Sequence, residues 1–366
     1  MSMAPAPIMF NGKFLSARPT GVHRVAGELI VHVDRLLSRR APADRGRWSV
    51  VCPPDAHARL PLDVIERRKR GVLTWQAWEQ LELPTIARGA VLVNLCNLAP
   101  LAHPRCVTLI HDAQVFLTPE SYSTAFLVWY RFALPRIGAA AARVVTVSNY
   151  SRDQLAAFGV APLEKISVVP NGAGHLVDLT ADEAILGRLG LRQGRFVVAL
   201  ANAQKHKNVG VLFETFAAPA MADLTLVLVG ADGREVFAAA GAPAPPGVVF
   251  AGRVSDPELR ALYENAACLA FPSTTEGFGL PPLEAMSLGS PALVAPCGAL
   301  PEVCGEAALY APPDDPGAWA ATIRRLTDDA DLRRRLKMAG LARAALYRWE
   351  DSARRLLEII EAVAGS

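Results

Sequence analysis

The chain has 366 residues, 51% hydrophobic and 20% charged, with 38 basic against 35 acidic side chains. This length predicts two or three domains, each able to bury a core, and the composition excludes a disordered chain, a collagen-like repeat and a small disulfide scaffold. The net charge of +3 hides an asymmetry. Residues up to Leu176 carry 20 basic and 12 acidic side chains, and those after it 18 and 23, which predicts an anionic partner, such as a phosphorylated acceptor, a membrane surface or a nucleic acid, for the first half.

The N-terminus, MSMAPAPIMF, has no basic flank and carries prolines through its apolar stretch, so no signal peptide is expected. Apolar runs at 48–52, 90–95, 106–112, 143–148 and 166–172 read as strands, and so do those at 196–201, 224–230, 248–252, 268–273 and 291–295. They are continuous rather than alternating, as strands buried on both faces should be. Helical patterns lie between them, for example at 151–158, 208–216, 257–266 and 282–288. Strand and helix in alternation predict an α/β protein of two doubly wound Rossmann-like domains facing a central cleft. The expected division is 1–176, 177–346 and a last helix, 347–366, packing back toward the N-terminal domain; the loop 173–180 is the joint.

The densest basic cluster, Arg67 to Arg70, reads as a solvated helix end or as an anion- or membrane-facing patch. Beside it, Trp75 and Trp78 lie three apart on a short helix, as core packing or as a sugar platform. The longest apolar helix candidate, AFLVWY (125–130), stops at Arg131, well short of the roughly 18 residues of a membrane span. The six cysteines form no C-x-x-C pair and no metal spacing with histidine, so buried reduced thiols in a cytoplasmic protein are expected, with no metal site. No G-x-G-x-x-G follows the first strand and there is no Walker A motif.

The chemically richest segment is FPSTTEGFGLPPLEAMSLGSP (271–291). A strand ends, a loop carries Glu276, Gly277 and Gly279 allow close backbone approach, and a helix opens near Pro281. Its backbone N–H groups offer an anion site, and Glu276 and Glu284 can accept from two sets of hydroxyls. The segment resembles the E-x7-E signature of the retaining glycosyltransferases of family 4, which have the GT-B fold. The resemblance implies that Glu276 binds the transferred sugar, Glu284 the ribose, and the N–H groups of Gly277, Phe278, Gly279 and Leu280 the sugar and phosphate.

Further matches follow in chain order. TLIHDAQVF (108–116) implies that His111 meets the donor sugar. SNYSRDQL (148–155) also reads by itself as a helix N-cap. KHKNVGVLF (205–213) is similar to the basic diphosphate segment and aligns Lys207 with the phosphate lysine, with Lys205 beside it. Many relatives carry an arginine five or six residues upstream, where this chain has Ala201 and Asn202. PTGVHRVAGEL (19–29) resembles the first loop over the diphosphate, placing Gly21 there, and Arg253 and Val254 match the border of the base.

The resemblance implies a retaining, metal-independent transfer of a hexose from a GDP- or UDP-sugar, with no other cofactor. Mannose is the favoured sugar, the acceptor is a glycan or lipid pyrophosphate-linked glycan in polysaccharide or lipopolysaccharide assembly, and His111, Glu276 and Lys207 are the catalytic set. The expected location is cytoplasmic with peripheral contact at the inner membrane face, and no nucleic acid is involved. The competing readings are a sugar-nucleotide epimerase of the same fold and a non-catalytic partner protein.

Overall fold

Every strand of the computed structural model, which describes residues 6–200, 202, 204–230, 233–239 and 241–365, pairs in parallel with its neighbours. Two compact units result: 1–117, 123–172 and 349–366 form the first, 118–122 and 173–348 the second. The boundaries fall at 172/173 and 348/349, a few residues from the expected cuts, and the second unit includes a five-residue piece, Thr118–Tyr122, taken from within the first.

In the first unit the elements run β1 (Ile8–Asn11), α1 (Gly21–Ser38), β2 (Trp48–Cys52), β3 (Glu66–Lys69), β4 (Val91–Asn94), β5 (Cys106–Leu109), α2 (Thr124–Ala140), β6 (Arg143–Thr146), α3 (Asn149–Ala157) and β7 (Ile166–Val168). The sheet order is β3-β2-β1-β4-β5-β6-β7. The chain therefore winds outward one way from β1 and the other way from β4, and the order reverses between these two strands. Strands β2, β4 and β5 are buried at every position, which is why they appear in the sequence as unbroken apolar runs. At the start of α3 the Ser148 hydroxyl accepts from Ser151 N–H, the expected N-cap.

The second unit runs β8 (Phe196–Leu200), α4 (Val209–Ala217), β9 (Thr225–Val229), β10 (Val249–Gly252), α5 (Asp256–Asn265), β11 (Cys268–Phe271), α6 (Leu280–Ser287), β12 (Ala292–Val294), β13 (Ala308–Tyr310), α7 (Pro316–Asp328) and α8 (Ala330–Ala344). Its sheet order, β10-β9-β8-β11-β12-β13, reverses between β8 and β11. Leu226, Leu228, Cys268, Ala270, Phe213 and Trp319 are among the side chains of its core.

The final helix, α9 (Trp349–Gly365), returns to the first unit and packs on α1. Leu356, Leu357, Ile360 and Val363 form its buried stripe, each contributing roughly 1.5–3 kcal/mol by burial before ordering costs. Around that stripe Arg39 pairs with Glu350 at 3.0 Å, and Arg40 and Arg47 both reach Glu361.

The basic cluster departs from the expectation of a solvated helix end. Arg67 to Lys69 lie in β3, an edge strand, where charge guards an unpaired backbone against other strands. Its side chains are also occupied nearby: Arg67 donates to Ala56 O (2.9 Å), Arg68 to Glu66 and Lys69 to Pro54 O (2.9 Å). The two tryptophans part company. Trp78 is fully buried, whereas Trp75 is 60% exposed at φ 54°, a backbone conformation costly for a bulky residue. All six cysteines are free, and burial pushes the Cys96, Cys106, Cys268 and Cys304 thiols up to about 12. Among the described residues no helix is long and apolar enough to cross a membrane.

Candidate functional site

Ligands of doubly wound sheets bind outside the carboxyl ends of the strands, where the order reverses. In the second unit that point lies between β8 and β11, and two expected site residues meet there. Lys207 closes a 3₁₀ turn after β8, Glu276 follows β11, and Lys207 Nζ stands 2.8 Å from Glu276 Oε1. Lys207 Nζ also lies 5.4 Å from the centre of the Phe271 ring. The two side chains are 21% and 12% exposed, so the pair is sheltered yet reachable.

Backbone contacts fix the Glu276 loop. Ala299 N–H donates to Glu276 O (2.9 Å), and Gly298, at φ 60°, passes so close that a Cβ there would stand 2.5 Å from Glu276 N. Gly279 caps α6 at φ 94°, and Pro281 in the first turn of α6 lacks the N–H that would go unused there. Gly277, Phe278, Gly279 and Leu280 thus lead into a helix N-terminus, as expected; Phe278 is buried and meets the Tyr347 ring edge-on at 5.7 Å.

Glu284, on α6, is 5% exposed. Tyr263 Oη donates to its Oε2 (3.2 Å), and His175 Nε2 lies 3.1 Å from Oε1. Neither partner was singled out in the sequence, since each comes from a separate element. Asn202 bonds Gln204 (2.9 Å), Lys205 is exposed on the 3₁₀ turn, Arg253 is exposed just past β10 and Val254 is half-buried. Ala201 lies outside the described residues.

His206, between the two lysines, was also missed. Its Nδ1 lies 3.0 Å from Ser121 Oγ and its ring stacks on Tyr122, which holds the 118–122 piece in this unit. Its carbonyl accepts from Thr274 N–H (2.8 Å) two residues before Glu276. His206 therefore ties the lysine turn to the glutamate loop.

In the first unit, His111 ends the β5 segment. It is 6% exposed and its Nε2 lies 3.1 Å from Leu95 O, a carbonyl that can only accept, so Nε2 carries the proton and Nδ1 is left as the acceptor. Its N–H donates to Asn97 Oδ1 (2.8 Å), with Asn97 at φ 66°. Gly21 opens α1, with open space where a Cβ would sit. Among the described residues no three His, Cys, Asp or Glu side chains gather as a metal ion requires.

Burial holds both His111 and His206 down at about 4, below the ordinary 6.5. Between those values the unfolded chain binds more protons than the folded one. Stability is therefore complete above pH 6.5 and falls as pH drops toward 4, by about 1.4 kcal/mol per pH unit for each histidine. Urea unfolding at pH 7, 6 and 5 should show this slope, and His206→Gln should remove about one proton's worth. An unaltered slope in that variant would exclude the account for His206.

Comparison with known proteins gives a consistent picture. Residues 35–174 match the family described as Glycosyltransferase Family 4, and 194–329 match Glycosyl transferases group 1. The chain is 28% identical over 257 residues to O-antigen chain mannosyltransferase B of Escherichia coli, covering 68% of each. It is 31% identical over 288 residues to the MMP alpha-(1->4)-mannosyltransferase of Mycolicibacterium hassiacum, covering 73% of this chain and 67% of that one. Alignments with these relatives thus span about two thirds of their length. Among solved structures, Anabaena HepE in complex with UDP-glucose superposes with a TM-score of 0.73 at 19% identity, over 98% of this chain and 100% of that one.

Proposed function

We infer the reaction from the family: the chain belongs to the glycosyltransferases of family 4, and its fold is GT-B. We propose that it moves a hexose, mannose before others, from a GDP- or UDP-sugar to a hydroxyl of a glycan or lipid-linked acceptor in polysaccharide assembly. The named mannosyltransferase relatives support the sugar, and the UDP-glucose complex of the structural neighbour supports a nucleotide-sugar donor.

The observation that carries this reading is the Lys207–Glu276 pair at the reversal of the second sheet. In the proposed reaction the bond from the anomeric carbon to the diphosphate oxygen breaks, and a bond to the acceptor oxygen forms on the same face. The acceptor proton leaves with the diphosphate. Charge grows on that diphosphate, and in this reading the Lys207 ammonium and the N–H groups opening α6 stabilise it. Glu276 accepts from the sugar hydroxyls. His111, neutral with Nδ1 as acceptor, takes a further sugar hydroxyl, and Glu284 takes the ribose. The proposal assigns no step to a metal or other cofactor, so chelator should leave the rate unchanged.

Cytoplasmic location and peripheral membrane contact are separate proposals. They rest on the charge of the first half, while the local bonding of Arg67, Arg68 and Lys69 weakens the part played by that cluster.

A thermal-shift panel with GDP, UDP, ADP, TDP and their common sugars tests the donor reading. Ligand at about 100 times its dissociation constant adds about 2.7 kcal/mol of stability. One selective nucleotide is expected, with GDP first; silence across the panel would overturn the proposal.

A further inference from the structure

Glu284 is held by two donors that come from different parts of the second unit. Tyr263 Oη, on α5, donates to Oε2, and His175 Nε2 stands at Oε1. The His175 side chain is only 3% exposed. A carboxylate as deep as that of Glu284 is costly unless its oxygens are bonded, and here each oxygen has a protein partner.

His175 stands in the joint 173–180, and the chain on either side of it is tied down. Ala173 N–H donates to Tyr347 O (2.7 Å). Gly174 follows at φ 97°, a left-handed conformation in which any side chain would be strained. Beyond His175, the Arg260 guanidinium gathers the carbonyls of Leu176 (3.4 Å), Val177 (2.6 Å) and Leu179. Leu176 itself is fully buried. Arg260 and Tyr263 lie three apart on α5 and so share a face of that helix. One helix thus fixes both the segment that carries His175 and the second donor to Glu284.

A carboxylate accepts about four hydrogen bonds. Among the described residues the protein takes one on each oxygen of the Glu284 carboxylate, which leaves a place on each. Two such places side by side match a pair of adjacent hydroxyls, as at the 2′ and 3′ positions of a ribose. They do not suit a phosphate, which would meet a second negative charge. The two donors also keep the carboxylate from turning, so its open places are set before a ligand arrives.

We propose that His175, with Tyr263 opposite it, is a positioning residue that acts through Glu284 to make the site prefer ribose over deoxyribose nucleotides. The inference rests on the glycosyl-transfer reading above and its assignment of the ribose to Glu284, and it adds the residues that make that contact selective. A site built to bond a hydroxyl rejects the analogue that lacks it. The ratio of the two affinities, rather than either alone, therefore reports on His175.

Calorimetry on the full chain tests this, with GDP, UDP and their 2′,3′-dideoxy forms as probes. For the nucleotide that binds, the wild type should prefer the ribose form by tenfold or more. His175→Leu should cut that ratio to threefold or less by weakening the ribose form, while the dideoxy affinity stays within twofold of wild type. His175→Gln, whose amide can still donate, should keep at least half of the ratio. Tyr263→Phe, which removes the other donor and keeps the ring, should lower the ratio at least twofold, and it decides the matter if His175→Leu does not fold. Equal weakening of both forms, as a merely structural role would give, overturns the inference. So does an unchanged ratio in either donor-less variant, a ratio lost as fully in His175→Gln as in His175→Leu, or no preference in the wild type; each leaves the transfer reading standing. A chain that binds none of the four nucleotides overturns the transfer reading, and the inference falls with it.

Discussion

Glu276→Gln is expected to lower kcat/KM for sugar transfer by about 10³-fold, close to 4 kcal/mol of transition-state stabilisation. The amide keeps the shape of the loop fixed by Ala299 and Gly298 but loses the charge that accepts strongly from sugar hydroxyls. The same change frees Lys207 from its 2.8 Å partner, so the affinity for a nucleoside diphosphate should hold or rise while transfer collapses. Lys207→Ala should do the reverse to binding, weakening the diphosphate markedly. Calorimetry with the nucleotide chosen by the thermal panel, beside steady-state kinetics, separates the two. Transfer within tenfold of wild type in Glu276→Gln would refute the assignment.

Gly172→Ala is expected to be strongly destabilising. Gly172 ends a segment of the first unit that runs against the start of α9, and a Cβ there would stand 2.4 Å from both the backbone N and the Cγ of Trp349. Neither atom can step aside: the backbone is anchored by the buried stripe of α9, and Ser352 Oγ donates to Pro170 O at 2.6 Å. A loss of about 3 kcal/mol follows from such overpacking, which in a unit of this size lowers Tm by roughly 6–12 °C. Thermal unfolding checks it, and a shift under 2 °C would show that the chain can yield at this contact.

The sequence revealed the strands that are apolar from end to end, such as β11 and β12, because burial on both faces leaves a signature independent of neighbours. It hid the edges. β3 reads ERRK and looks like a solvated helix end, since what makes it a strand is its pairing with β2. β13 is three residues long and half-exposed at its end. The same division runs through the site. Glu276, Glu284 and Lys207 were legible because a spaced motif and two strand ends announce them. Tyr263, His175 and His206 were not: their importance lies in partners 21 to 109 residues away, which no local pattern records.

The path of the chain carries a consequence for biosynthesis. The first unit is left unfinished at Gly172 and is completed only by the helix that begins at Trp349. A ribosome adding about 5–20 residues per second takes roughly ten to thirty-five seconds over the intervening stretch. Through that interval the apolar face of α1 waits without its cover, so the nascent N-terminal unit is the aggregation-prone species and a natural client for a chaperone. A stop codon just before Trp349 spares every donor-side residue named above, yet it leaves the first unit without its final piece.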